Sequence, residues 1–248
     1  SRLISKGSTK QFHLFFQQYH EADIADALSL LEPELRHQFF VKASSKEGTD
    51  VLEEMELPEQ LELITEFKTE LAAKYIEDME PDVAVDLLEE LFETDEEKAE
   101  QILEAIPKED AAEIKELLSY KEDSAGAIMT SEFVSIPQDL SVKEAVSEIK
   151  KQNPPNSEIA FYIFIVDHVS RLVGYITLRD TLMAPKDASV KDIRNDYPIK
   201  TTVDTDQEEV AELFRKYDVI ALPVVNHDNQ LVGLITVDDV VDVVVEEA

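Results

Sequence analysis

Residues 231–247 read Leu-Val-Gly-Leu-Ile-Thr-Val-Asp-Asp-Val-Val-Asp-Val-Val-Val-Glu-Glu. Leu231 to Ile235 has the length and apolar content of a buried strand. Thr236 with Asp239 three positions on is a helix-start signature, and the following turns put Asp239, Asp242 and Glu246 on one helical face. At an offset of 231 − 172 = 59, Leu172-Val173-Gly174-Tyr175-Ile176-Thr177-Leu178-Arg179-Asp180 repeats the pattern. The second half of the chain is therefore a tandem duplication, and the first half is an appended domain.

Working outward, the first copy predicts a strand over 133–136, a helix over 141–151, strands over 161–166 and 172–177 around a turn at 167–170, and a helix over 178–183. The second copy predicts 201–203, 207–217, 221–225, a turn at 226–229, 231–236 and a final helix. Each unit reads β-α-β-β-α, and two such units pack face to face because each alone leaves a sheet surface uncovered. The first copy also carries Asn153-Pro154-Pro155-Asn156, which predicts a loop. Residues 119–131 break the helical period and are expected to be a linker.

Upstream the period is helical. Phe12-His13-Leu14-Phe15-Phe16 predicts a short docking helix, and helix starts recur at Asp23, Pro58, Pro81 and Pro107. Pro33, Pro58, Pro81 and Pro107 are spaced by 25, 23 and 26 residues. Proline suits the first helical position, where its missing N–H has no partner to lose. A proline every two dozen residues marks a recurring pair of short helices, the mark of a helical solenoid.

The 248 residues carry 23 Lys+Arg against 55 Asp+Glu, a net −32. Residues 50–123 alone hold 27 acids and 6 bases, 6 − 27 = −21. Such charge disfavours nucleic acid and anionic membrane surfaces and favours cations. With 44% hydrophobic residues the chain is too apolar for disorder. The absence of cysteine excludes disulfides and thiolate metal sites. No run of about 18 apolar residues is present. The chain starts at Ser1 and stops at Ala248 within an expected helix, so it is expected to be a piece of a longer protein. His13, His20, His37, His168 and His227 lack metal-site spacing and no serine has nucleophile-elbow flanks, so no enzyme activity is expected.

The duplicated Gly-hydrophobic-Ile-Thr-x-x-Asp pattern resembles a CBS-domain pair. The acidic Pro81-Asp82-x-Ala84-x-Asp86-Leu87-Leu88 helix resembles a more specific family, as do the junction 122–130, the stretch 205–211 and Tyr217-Asp218 before Leu222-Pro223. Over roughly residues 20–248 the chain is similar to the cytosolic half of MgtE-type magnesium transporters. The resemblance implies a multidomain α and α+β protein: an all-α right-handed helical solenoid followed by a tandem CBS pair. Expected boundaries are 1–20 for a leading helix, 21–124 for the acidic N domain, 125–190 and 191–240 for the CBS domains, and 241–248 for the start of a connecting helix. It further implies a homodimer through the CBS domains, a covalently linked membrane pore, and a place at the cytoplasmic face of the membrane, with no nucleic-acid partner.

Magnesium keeps several waters and needs only one or two carboxylates from each facing surface. Asp82 and Asp86, four apart, share a helix face. The resemblance implies Mg²⁺ ligands at Asp82, Asp86, Asp218, Asp239 and Asp242, further ones at Asp50, Asp206, Glu208 and Glu247, and a main-chain carbonyl at Ala127. The family's Gly-Gly at this junction is Gly126-Ala127 here. Against this, an acid on a solvated helix face needs no ligand to explain it. Thr177…Asp180 and Thr236…Asp239 fit capping boxes that satisfy helix N–H groups. In CBS pairs the same positions contact an adenine nucleotide such as ATP, which implies Thr177, Arg179, Asp180, Thr236 and Asp239 as binding residues. Two functions stand side by side: a Mg²⁺-responsive regulator of a transporter, and an adenine-nucleotide-sensing CBS adaptor without a metal-driven switch.

Overall fold

Helices of about ten residues joined by turns of one to four residues build the first half. The computed structural model describes Ile4 and residues 9–43, 45–152, 161–196 and 199–246. The chain divides into two compact units, Ser1–Leu118 and Ser119–Ala248.

In the first unit the helices are α1 (Thr9–Phe16), α2 (Glu21–Ser29), α3 (Pro33–Lys42), α4 (Ser45–Glu53), α5 (Leu57–Glu66), α6 (Thr69–Asp78), α7 (Pro81–Thr94), α8 (Glu96–Ala105) and α9 (Lys108–Leu117). Each packs on its second neighbour, so α2, α4, α6 and α8 form one row and α3, α5, α7 and α9 the other. This is the solenoid arrangement, in which each helix pair buries its apolar face on the next. Pro33, Pro58 and Pro81 stand in the first two positions of α3, α5 and α7, and Pro107 is the N-cap of α9. The proline spacing is thus the spacing of one row.

Phe39, Phe40, Phe67 and Tyr75 fill the centre of this unit, each at most 1% exposed. Phe40 meets Tyr75 edge-on, with ring centroids 5.9 Å apart and planes at 87°. The Tyr75 hydroxyl donates to the Phe40 carbonyl at 2.7 Å, and burial pushes this phenol far above its ordinary range. The backbone at Gly48 passes so close to that ring that a Cβ there would lie 2.5 Å from the Tyr75 hydroxyl. Helix α1 docks as expected, its buried Phe12 centred 5.6 Å from Phe39. Arg36, 8% exposed, is held by Glu59 and Glu62, each at 2.8 Å. Two carboxylates answer one buried guanidinium, which suits a unit so rich in acids.

The second unit builds the β-α-β-β-α pattern twice. The first copy has β1 (Ser135–Pro137), α10 (Val142–Gln152), β2 (Tyr162–Val166), β3 (Leu172–Thr177), α11 (Leu178–Met183) and a short α12 (Val190–Ile193). The second has β4 (Thr201–Thr202), α13 (Gln207–Tyr217), β5 (Ala221–Val225), β6 (Leu231–Thr236) and α14 (Val237–Glu246). The sheets are ordered β1-β2-β3 and β4-β5-β6; the first pair in each is parallel and the second antiparallel. The expected first strand sits slightly later, at 135–137, on a sheet edge where Pro137 is tolerated. Even the irregularities repeat: the hairpin register shifts at Ile165/Val166 and at Val224/Val225. Phe164 and Leu172 of the first copy pack with Ala221, Val225, Leu231 and Leu234 of the second. The Leu172 amide donates to the Asn229 carbonyl and the Leu231 amide to that of Ser170, both at 3.1 Å.

The expectation of a linker over 119–131 is corrected. Helix does stop at Leu117, yet Ser124, Ala125, Ala127, Met129 and Thr130 are buried. The Ala125 amide donates to Thr205 O (2.6 Å), Gly126 to Val203 O (2.9 Å) and Gln207 to Asp123 O (2.9 Å); Thr130 and Leu234 exchange both backbone bonds at 2.9 Å. The segment is a strap clamped on the second copy, which it meets before the chain enters the first. Broken helical period reports where helix ends and carries no information about what the backbone then pairs with. The expected loop at 153–156 lies outside the described residues.

Candidate functional site

At the end of β3 the chain turns into α11 through a complete capping box. Asp180 Oδ2 accepts from the Thr177 amide (2.9 Å) and hydroxyl (2.7 Å), while the Asp180 amide donates to Thr177 Oγ1 at 3.1 Å. Asn195 Nδ2 donates to the same oxygen at 3.3 Å. The Thr177 hydroxyl and amide hold the Asp180 carboxyl below its ordinary range against the opposing effect of burial, with lesser help from Arg179 and Asn195. The second copy repeats the corner, with Asp239 Oδ2 accepting from the Thr236 amide at 2.6 Å and hydroxyl at 3.0 Å. The capping box is thus complete at Thr177 and Asp180, and its carboxylate half is formed at Thr236 and Asp239.

Beside the first corner lies a cavity of about 450 Å³, lined by Phe161, Tyr162, Thr177, Leu178, Arg179, Leu182, Met183 and Ile220. Thr177 and Arg179 are joined there by an almost wholly apolar wall, with one residue contributed by the second copy. Leu182 and Met183 are 75% exposed, large apolar side chains standing at a cavity rim. A site of this make-up takes a flat, partly apolar ligand that presents negative charge to the single guanidinium. Reading the sequence missed Phe161, Tyr162, Leu182, Met183 and Ile220; the available signal was Leu178 and Leu182 at helical spacing beside a capping box.

The expected metal ligands are distributed as follows. Asp82, in the first turn of α7, is 9% exposed, whereas Asp86 one turn later is exposed. Asp50 is exposed on α4; desolvation of its carboxyl, with Glu21 and Glu47 nearby, raises its pKa against the opposing pull of Lys46. Asp206 is the N-cap of α13, accepting from the Glu208 amide at 3.0 Å. Asp218 ends α13 in the left-handed region (φ 55°), which Asp tolerates. Glu208 and Asp218 line one groove of about 530 Å³ between α13 and α14, floored by Phe214, Val219, Val240 and Val243. Ala127 is buried in the strap. Asp239 caps α14; Asp242 falls on that helix with its side chain outside the description, and Glu247 lies outside the described residues. Among the described residues no three His, Asp or Glu side chains group to hold a metal ion, so the structure pairs some of these acids without gathering them.

The intracellular N-domain family of MgtE matches residues 19–123, and the CBS-domain family matches 125–187 and 190–246. A crystal structure of the soluble part of a magnesium transporter superposes with a TM-score of 0.91 at 34% identity, over 100% of this chain and 96% of that one. The chain belongs to the MgtE family. The cytosolic domain of an Mg²⁺ channel MgtE crystallised with ATP is similar too, with TM-score 0.89, 29% identity, and 98% and 97% coverage. The magnesium transporter MgtE of Thermus thermophilus is 30% identical over 245 residues, 99% of this chain and 54% of the relative. The chain thus spans about half the length of that MgtE transporter, and these relatives belong to a class that is not enzymatic. No helix among the described residues is long and apolar enough to cross a membrane.

One consequence for this MgtE corner is measurable. Asp180→Ala is expected to cost about 1 kcal/mol of stability at neutral pH, the usual worth of a helix cap. Because the folded carboxyl pKa is depressed, its contribution is complete above the unfolded value near 3.9 and lost as pH falls through the folded value. Urea midpoints of variant and wild type should therefore differ at pH 7, begin to draw together only as pH falls below about 4, and converge once it has passed the lower, folded value. A gap independent of pH would refute the carboxylate's role.

Proposed function

We propose that this chain is the cytosolic Mg²⁺-sensing region of a magnesium transporter, in which Mg²⁺ joins carboxylates of the acidic solenoid to carboxylates of the CBS pair. The observation that carries the reading is the division of acids between two compact units: Asp82 and Asp86 on one face of α7, Glu208 and Asp218 on one groove beside α14. Each pair supplies the one or two hard oxygen ligands that a partly hydrated Mg²⁺ takes from a surface. Asp50, Asp206, Asp239, Asp242, Glu247 and the Ala127 carbonyl complete the proposed set.

Two carboxylates brought to about 4 Å repel by about 1 kcal/mol in water and about 4 kcal/mol at an effective dielectric near 20. Several such pairs keep the units apart until a divalent cation neutralises them. Binding to the joined state alone then shifts the population toward it by mass action. In the proposed full-length homodimer, at the cytoplasmic face of the membrane, the joined state closes a linked pore and loss of Mg²⁺ opens it.

Small-angle scattering across millimolar Mg²⁺ tests this. The radius of gyration is expected to fall with Mg²⁺ and recover with chelator in the wild type, and to stay at its metal-free value in Asp82→Ala/Asp86→Ala. A wild-type radius indifferent to Mg²⁺ sinks the reading.

A specific observation supports a second ligand on the same chain. The cavity holding Thr177 and Arg179 has the shape and charge for an adenine nucleotide, and a relative of matching fold was crystallised with ATP. We assign the nucleotide to this first corner, with Asp180 positioning Thr177.

A further inference from the structure

We infer that Met183 is a site of reversible oxidation, at which peroxide weakens ligand binding in the cavity beside the first corner. The chain has four methionines and no cysteine, so thioethers are its only sulfur. Three of them are out of reach: Met55, Met79 and Met129 are 4%, 6% and 1% exposed, and the Met129 sulfur is packed onto Gly233. Met183 is 75% exposed. Oxidation follows access to the sulfur, so among four chemically equal groups burial alone selects Met183.

Its place makes the selection consequential. Met183 is the last residue of α11 and lines the cavity of about 450 Å³ with Phe161, Leu178, Leu182 and Ile220, the wall beside Arg179. In the reaction a sulfur lone pair attacks one oxygen of hydrogen peroxide, and the S–O bond forms as the O–O bond breaks. The sulfur loses two electrons; the departing hydroxide takes the proton of the transferred oxygen and leaves as water. The product is a polar sulfoxide in a wall that was apolar. A ligand covering that wall must then strip water from the new oxygen without returning a hydrogen bond. The cavity loses affinity while the fold is kept, because so exposed a side chain supports little of the core. A thiol-dependent methionine sulfoxide reductase reverses the step. The ligand in this inference rests on the nucleotide reading above; the site of oxidation does not.

Peptide mass mapping after graded hydrogen peroxide, quenched with catalase, tests the site. Sulfoxide is expected at Met183 before any forms at Met55, Met79 or Met129, and simultaneous oxidation of all four overturns the selection. Calorimetric titration with ATP in divalent-free buffer tests the consequence on wild type and Met183→Leu, each before and after peroxide, with far-UV circular dichroism confirming the fold. Treated wild type is expected to bind about tenfold more weakly than untreated and to recover after sulfoxide reductase. Treated Met183→Leu should keep the affinity of its own untreated form. Undiminished binding by wild type fully oxidised at Met183, or an equal loss in Met183→Leu, overturns the switch. If untreated wild type takes up no ATP, the nucleotide reading falls by itself. The switch is then decided by anilinonaphthalene sulfonate, an apolar ring system with one anion, whose fluorescence should fall on oxidation of wild type and not of Met183→Leu.

Discussion

Replacing Phe40 with alanine is expected to lower the stability of the solenoid unit by about 3–5 kcal/mol, the range for a fully buried phenylalanine. Phe40 has no exposed surface, and its ring lies 5.3 Å from Phe39, 6.1 Å from Phe67 and 5.9 Å from Tyr75. These rings come from α3, from the end of α5 and from α6, so one truncation opens both helix rows. In a solenoid each interface between neighbours supports the next, so the loss is felt along the whole unit. Urea unfolding followed by far-UV circular dichroism should show the solenoid midpoint falling by roughly 1–3 M, with the CBS transition unmoved. A shift of both transitions together would show that the two units do not unfold separately.

The CBS pair has a tightly packed point of its own at Gly233. A Cβ added there would run into Met129 Sδ and lie 2.8 Å from its Cγ, and Met129 is 1% exposed. Met129 Cβ, 3.1 Å from the added atom, cannot move aside as the sulfur can, because the adjoining Thr130 backbone is bonded in both directions to Leu234. Gly233→Ala is therefore expected to cost about 1–3 kcal/mol by overpacking and to loosen the strap from the second copy. Hydrogen exchange at the Ala125, Gly126 and Thr130 amides should rise with it. In a Met129→Ala background the same substitution should cost at least about 1 kcal/mol less, since the two side chains compete for one space. Equal cost in both backgrounds would refute the contact as the cause.

The elements that were legible share a physical property: their signals lie within a few residues. Pro81 opening α7, Thr177 with Asp180 opening α11, and the 59-residue echo of Leu231 to Asp239 are each resolved by local hydrogen bonding or by repetition. The family likeness added the assignment of acids that no spacing singles out. Gly48 and Gly233 carried no such signal, since nothing near them in sequence announces Tyr75 or Met129.

The sequence by itself thus determined the two-part architecture, the solenoid period, the duplicated corners and the excess of acid, because periodicity, caps and charge are local or additive. Only the tertiary structure decided that residues 119–131 are a strap on the second copy. It alone formed a cavity from Phe161, Arg179 and Ile220 and brought Glu208 and Asp218 to one groove. Those juxtapositions join positions separated by tens of residues, and which of them come together depends on how the packed faces fit.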